Sequence, residues 1–251
     1  VIIAAPVMVS WPLLDVHRPV LGRDRTTIHR NGLTASLETL MQTNNEKPEF
    51  WEAAFTDKQE MWGFEPSASA VLTKDFFLEQ SVKTVLIPGI GYGRNARIFT
   101  DNGMAVTGIE ISQTAIELAK KHYGSAMTIY HGSVTDMPFD DCRYDGVFCY
   151  ALIHLLDHSE RKKLIGDCYD QLAENGSMVF TAISKKSPTY GNGTLVSKDR
   201  YEQFGGVRMF FYDRESISAE FANAGLFEIT EVTENYPFYL IKCRKNTSTT
   251  Q

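Results

Sequence analysis

Val85-Leu86-Ile87-Pro88-Gly89-Ile90-Gly91-Tyr92-Gly93-Arg94-Asn95-Ala96 is the stretch on which the reading of this chain turns. Lys83 to Ile87 is apolar and β-branched enough for a buried parallel strand. Three alternating glycines then let the chain turn sharply while its backbone approaches a ligand, and the helix expected next offers unpaired N–H groups to negative or polar atoms. A glycine loop alone fits a ligand-free strand-to-helix turn equally well. The acid downstream favours the ligand. Met104 to Ile109 reads as a second strand ending at Glu110. That lies about twenty residues past the first glycine, where a doubly wound sheet places a carboxylate to accept the hydroxyls of a ribose.

The 251 residues suffice for one α/β domain with a large core. A net charge of −6 supplies no basic field for nucleic acid or an anionic membrane surface, so a small molecule is the expected partner. Cys142, Cys149, Cys168 and Cys243 show neither a C-x-x-C pair nor metal-ligand spacing, which predicts no metal and no disulfide framework and suits a reducing, cytoplasmic setting. No apolar run reaches the ~20 residues that span a bilayer.

Outward from the loop, helices and strands alternate. Phe50 to Phe55 suits a helix with a large aromatic face, and Met61 to Ser67 reads as a turn feeding a helix through Phe77. Arg94 to Asp101 is expected to be helical. Ser112 is a suitable N-cap for a helix over Gln113 to Tyr123, closed by Gly124. Met127 to His131 and Asp145 to Tyr150 read as strands, Ser159 as the cap of a helix over Glu160 to Leu172, and Ser177 to Ile183 as a fifth strand. This alternation predicts a parallel sheet with helices on both faces. Lys185 to Arg208 is polar and glycine-containing, a long excursion rather than another βα unit, followed by a helix over Arg214 to Ala224. Glu228 to Val232 and Phe238 to Cys243 then imply an antiparallel edge hairpin. Residues 1–40, with Pro6, Pro12 and scattered arginines, are expected to lie outside the globular domain of 41–245, and 246–251 form a polar tail.

Four segments carry a family resemblance in the right order: the glycine loop; Val106 to Ser112; His131-Gly132-Ser133-Val134-Thr135-Asp136-Met137-Pro138-Phe139; and Tyr144 to His154, followed by Leu172 to Ser177. Residues 48–245 resemble the class I S-adenosylmethionine-dependent methyltransferases. The resemblance implies a doubly wound, seven-stranded, mostly parallel Rossmann-like α/β sheet with an antiparallel C-terminal strand, and S-adenosyl-L-methionine as cofactor. Within the family, Pro88-Gly89, Gly93-Arg94-Asn95, Trp51 and Trp62-Gly63 look most like the small bacterial group related to tellurite and thiopurine methyltransferases.

Carried over by position, Gly89, Ile90, Gly91, Tyr92, Gly93 and Asn95 would form the methionine side of the cofactor site. Glu110 would hold the ribose, and Ile111, Ser133 and Val134 the adenine. Cys149 and Tyr150 would line the pocket after the fourth strand, above Ile153 and His154. Trp62, Tyr92 and Tyr150 are candidates to face the sulfonium, whose charge an aromatic ring stabilises. His154 and Tyr150 are the candidate catalytic side chains; Trp51, Tyr190, Arg208 and Phe211 lie where the family builds its substrate cover. Core packing is the plainer account of Ile111, Val134, Ile153 and either tryptophan. Two departures stand out: Ile87 replaces the acid that usually precedes the first glycine by two positions, and Ser133 replaces the usual adenine-binding acid. The implied activity is methyl transfer to a small thiol, amine, carboxylate or metalloid oxyanion by a monomer or homodimer. The alternatives are a non-catalytic cofactor-binding module, or a nicotinamide-dependent oxidoreductase, whose G-x-G-x-x-G fingerprint Arg94 spoils.

Overall fold

Neighbouring residues of the central strands face opposite ways, and in this chain both faces are apolar. Leu86, Val147, Cys149, Met178, Phe180 and Ile241 join one buried cluster, while Val85, Ile87, Phe148, Val179 and Leu240 join another. A strand buried on both sides requires helices on both sides. The computed structural model describes residues 50–246 and supplies them. Leu164, Ile165 and Cys168 of α5 (His158–Gln171) and Ile217 of α6 (Arg214–Glu220) cover the first face. Ala70 and Phe77 of α2 (Ala68–Glu79) and Phe99 of α3 (Arg97–Thr100) cover the second. Helix α1 (residues 50–58) precedes them, and α4 (Gln113–Tyr123) follows the second strand.

The main sheet has seven strands among the described residues, in the order β3-β2-β1-β4-β5-β10-β9. Its members are β1 (Thr84–Pro88), β2 (Ala105–Glu110), β3 (Met127–His131), β4 (Tyr144–Cys149), β5 (Leu172–Ile183), β9 (Leu226–Thr233) and β10 (Pro237–Arg244). The pairs β1–β2, β2–β3, β1–β4 and β4–β5 are parallel; β10 runs antiparallel to both β5 and β9. The expected doubly wound sheet with one reversed strand is therefore present. The expected antiparallel hairpin stands at the sheet edge, with β10 between β5 and β9 and β9 outermost.

Other expectations need correction. Lys185 to Arg208 contains a second sheet of β6 (Thr194–Ser197), β7 (Arg200–Gln203) and β8 (Val207–Phe210), antiparallel throughout. Its four-residue strands turn at positive-φ Asp199, Phe204 and Gly205, too short for a readable period. Helix α5 starts two residues earlier than expected, because Asp157 rather than Ser159 caps it. Its carboxylate accepts from Glu160 N at 2.9 Å, while Glu160 accepts from Asp157 N at 2.7 Å. The expected helix over Arg94 to Asp101 is α-helical only at Arg97–Thr100, and α6 ends at Glu220 rather than Ala224. Ser112 and Gly124 do bound α4, with Ser112 Oγ accepting from Ala115 N at 3.1 Å. The extension of 1–40, the domain start at 41 and the tail beyond 246 lie outside the described residues.

Candidate cofactor site

The carboxyl ends of β1 and β2 stand side by side, Pro88 opposite Ile109. Gly89, Gly91 and Gly93 all adopt positive φ, at 67°, 59° and 84°. At Gly91 the conformation matters most, because it aims the N–H at the neighbouring strand end and leaves only the Phe55 ring, 3.8 Å away, near the place a Cβ would take. That N–H donates to Glu110 Oε2 at 2.8 Å, and Ile111 N and Ser112 N donate to Oε1 at 2.9 and 3.0 Å. Glu110 is only 6% exposed. Burial raises its carboxyl above the usual range, and the three N–H donors pull the other way. The two ends that the sequence separates by about twenty residues thus share a hydrogen bond. A backbone cradle open at Gly91 beside a buried carboxylate fits the ribose and amino-acid ends of S-adenosyl-L-methionine.

The remaining candidates separate by role. Ile90 is buried against Gly108, where an added Cβ would stand 2.5 Å from Ile90 Cδ1; its side chain belongs to the core. Tyr92 is buried too. Its ring stacks on Trp62, with centroids 6.2 Å apart and planes 8° apart, and its hydroxyl donates to Gly63 O at 2.6 Å and accepts from Trp62 N at 3.2 Å. Arg94 Nη1 donates to the carbonyls of Trp62 and Glu65, and Asn95 Oδ1 accepts from Ser67 N at 2.9 Å. Tyr92, Arg94 and Asn95 thereby fasten the segment 62–67 to the glycine loop. The repeated side-chain-to-backbone bonding between these stretches has no sequence signal.

Ser133 caps the short 3₁₀ turn Val134–Asp136, its hydroxyl accepting from Thr135 N at 3.2 Å, and Val134 is buried. Ile111 is half-buried, and its carbonyl lies 3.1 Å from His131 Nε2. After β4, Cys149 is fully buried, and burial pushes its thiol well up, so it is no thiolate nucleophile. Tyr150 stacks on Phe238, with centroids 6.5 Å apart, and the Arg94 guanidinium lies 5.9 Å from its ring. Burial raises its hydroxyl pKa.

His154 is 4% exposed, edge-on to Phe238, and its Nδ1 has no hydrogen-bond partner. Burial holds its pKa down to about 3, which makes it a neutral packed imidazole and a poor general base.

In the expected cover, Tyr190, Tyr201 and Phe211 form a mutual edge-to-face cluster, with Tyr190 Oη donating to Asp199 at 2.7 Å. Trp51 packs on Phe50 and Phe55 of its own helix. Arg208 stands apart from them, on an exposed face of β8, bonded to Glu202 opposite it on β7.

A sheet ordered β3-β2-β1-β4-β5-β10-β9 with β10 reversed, a glycine turn after β1 and an acid closing β2 make up the Rossmann-like methyltransferase fold. Residues 86–180 match the family model described as a methyltransferase domain. The O-methyltransferase resE of Aspergillus sclerotiorum is 34% identical over 80 residues, 29% of this chain and 30% of that one. The chain thus spans about a third of that curated relative. The ubiquinone biosynthesis O-methyltransferase of Coxiella burnetii is 26% identical over 61% of this chain and 68% of its own length. Among solved structures, the 1,6-didemethyltoxoflavin-N1-methyltransferase of Burkholderia thailandensis, with 1,6-didemethyltoxoflavin and S-adenosylhomocysteine bound, shares the fold. Its TM-score is 0.63 at 13% identity, covering 88% of this chain and 93% of that one.

Proposed function

We propose that this chain transfers the methyl group of S-adenosyl-L-methionine to a small molecule without a general base of its own. The observation that carries the reading is the buried Glu110 carboxylate hydrogen-bonded to Gly91, since it joins a ribose acceptor to the glycine cradle. Glu110 would hold the ribose hydroxyls, the loop of Gly89, Gly91 and Gly93 the amino-acid end through its backbone, and Ile111, Ser133 and Val134 the adenine. When bound, the cofactor would supply an electrophilic methyl group on a positively charged sulfur. Tyr150 and Trp62 supply aromatic surface beside that charge, each worth ~0.5–2 kcal/mol when desolvated. Neither the packed His154 nor the buried Cys149 suits proton removal, so an acceptor already ionised or soft is favoured, its proton lost to water. Thiols and metalloid oxyanions therefore head the acceptor panel, in keeping with the likeness to the tellurite and thiopurine group. The names of the fungal and Coxiella relatives add hydroxyl acceptors.

Trp51, Tyr190 and Phe211 are assigned to the acceptor side. Arg208 is assigned there only if its bond to Glu202 yields to an acidic substrate. Neither nucleic acid nor a membrane is a proposed partner, and a monomer or homodimer in the cytoplasm is the proposed setting. The net charge of −6 supports the first part, and no helix among the described residues is long and apolar enough to cross a membrane. Calorimetry with S-adenosylhomocysteine tests the cofactor reading: the full chain should bind, and Glu110→Ala should weaken binding by at least about 1.5 kcal/mol. No binding at millimolar ligand rejects the proposal. Turnover across thiols, oxyanions, phenols and amines, read by demethylated cofactor, then identifies the acceptor, and kcat should follow the acceptor's own ionisation.

A further inference from the structure

A second carboxylate converges on the strand end occupied by Glu110, and it comes from outside the sheet. Glu52 of α1 accepts from Ser112 Oγ at 2.6 Å and from Thr114 N at 3.2 Å through Oε2, and its Oε1 bonds Thr114 Oγ1. Ser112 is shared between the two acids: its N–H goes to Glu110 Oε1 and its hydroxyl to Glu52. Both partners of Glu52 stand at the start of α4, where unpaired N–H groups and the helix dipole favour a carboxylate. These bonds hold the Glu52 carboxyl below its ordinary range against the opposing effect of burial.

Three residues further on, on the same face of α1, Phe55 approaches Gly91, whose N–H is Glu110's remaining donor. One helix face therefore touches both ends of the site, with Phe55 over the glycine loop and Glu52 beside the ribose acid. The segment after α1 is fastened to the same loop by Tyr92, Arg94 and Asn95. Glu52 is the charged attachment at the other end, with a longer Thr56 Oγ1–Thr114 Oγ1 contact of 3.4 Å beside it.

We infer that Glu52 is a positioning residue for the cofactor: through Ser112 and Thr114 it tethers α1 across the Glu110 end of the site, and ligand leaves when the tether opens. This rests on the cofactor reading above. The tether acts on residence rather than on the ribose bonds themselves, which separates its role from that of Glu110.

The test is the release rate of S-adenosylhomocysteine from the full chain, followed by stopped-flow through tryptophan emission, beside its Kd by calorimetry. Glu52→Ala should speed release tenfold or more and raise Kd to match, with association changed less than twofold. Thr114→Val, which removes one donor from the other side, should act in the same direction. The double variant should fall well short of the two effects combined, because both break the Glu52–Thr114 bond, Thr114→Val adding only the loss of the 3.4 Å contact with Thr56. Glu52→Gln, which keeps an acceptor for Thr114 N, should recover most of the wild-type residence; a side chain needed only for helix stability would move the melting temperature and leave release alone. If Glu52→Ala does not fold, Thr114→Val carries the test. Release within twofold of wild type in the folded variants, additive effects in the double variant, or no recovery by Gln overturns the assignment and leaves the cofactor reading standing. Failure of the wild-type chain to bind overturns both.

Discussion

At the scale of single residues, the burial of His154 has a consequence away from catalysis. Its folded pKa of about 3 lies below the ~6.5 of an unfolded histidine, so between those values the unfolded chain binds the extra proton. Stability should therefore be full above about pH 6.5 and fall progressively as the pH drops toward about 3. His154→Leu should flatten that part of the curve, read from urea midpoints at pH 4 to 7, and leave the pH dependence of turnover unchanged. If turnover instead loses a titration near neutrality in this variant, the imidazole is the base after all. The position of His154 after the fourth strand is readable in the sequence. Its complete enclosure by Phe238 and its neighbours is not, because that contact joins residues 84 positions apart. Glu110 is more legible, since a strand-end acid at a fixed distance from a glycine loop is a local pattern. Glu52 gives no such sign: one acid on an aromatic helix looks like any solvated charge until Ser112 and Thr114 are beside it.

Among the elements, legibility follows whether a boundary is set by neighbours in sequence. Helix α4 is bounded by Ser112 and Gly124 as expected, and β3 by Met127 and His131, because caps and turns are local. The start of α5 differs from the sequence expectation because Asp157 and Ser159 both qualify as caps; the reciprocal bond with Glu160 decides for Asp157. Ser159 instead donates its hydroxyl to that same carboxylate at 2.8 Å. Asp157→Ala should cost about 1 kcal/mol by chemical denaturation, whereas Ser159→Ala should cost less than half as much. The strands of the small sheet stayed hidden for the opposite reason. Tyr201 opposite Met209, and Glu202 opposite Arg208, make a pattern only when β7 and β8 are paired.

For the whole molecule, the question is how the small sheet is held to the large one. Lys185, two residues past β5, bonds Asp199 at 2.7 Å between β6 and β7 and Asp213 at 2.6 Å before α6, and Ser184 bridges to Tyr212. The lysine and Ser216 hold the Asp213 carboxyl down to about 2, against ~3.9 when unfolded. This contribution is present above pH ~4 and lost as the pH falls toward 2, and it is modest because Asp213 is partly exposed to water. Lys185→Met leaves two acids facing each other and should raise hydrogen exchange in β6 to β8 while β1, β4 and β5 stay protected. Equal loosening of both sheets would show that this lysine is not the attachment.

The place of β10 between β5 and β9 also sets an order of assembly. Strands β2 to β5 can pair as they leave the ribosome, each finding a neighbour already made. Strand β9 emerges with nothing to pair with, since its partner is the strand that follows it, and the edge of β5 stays bare until β10 arrives to fill the gap. Synthesis therefore passes through a stage in which a five-stranded sheet carries an open, apolar edge that only the last of these strands can close.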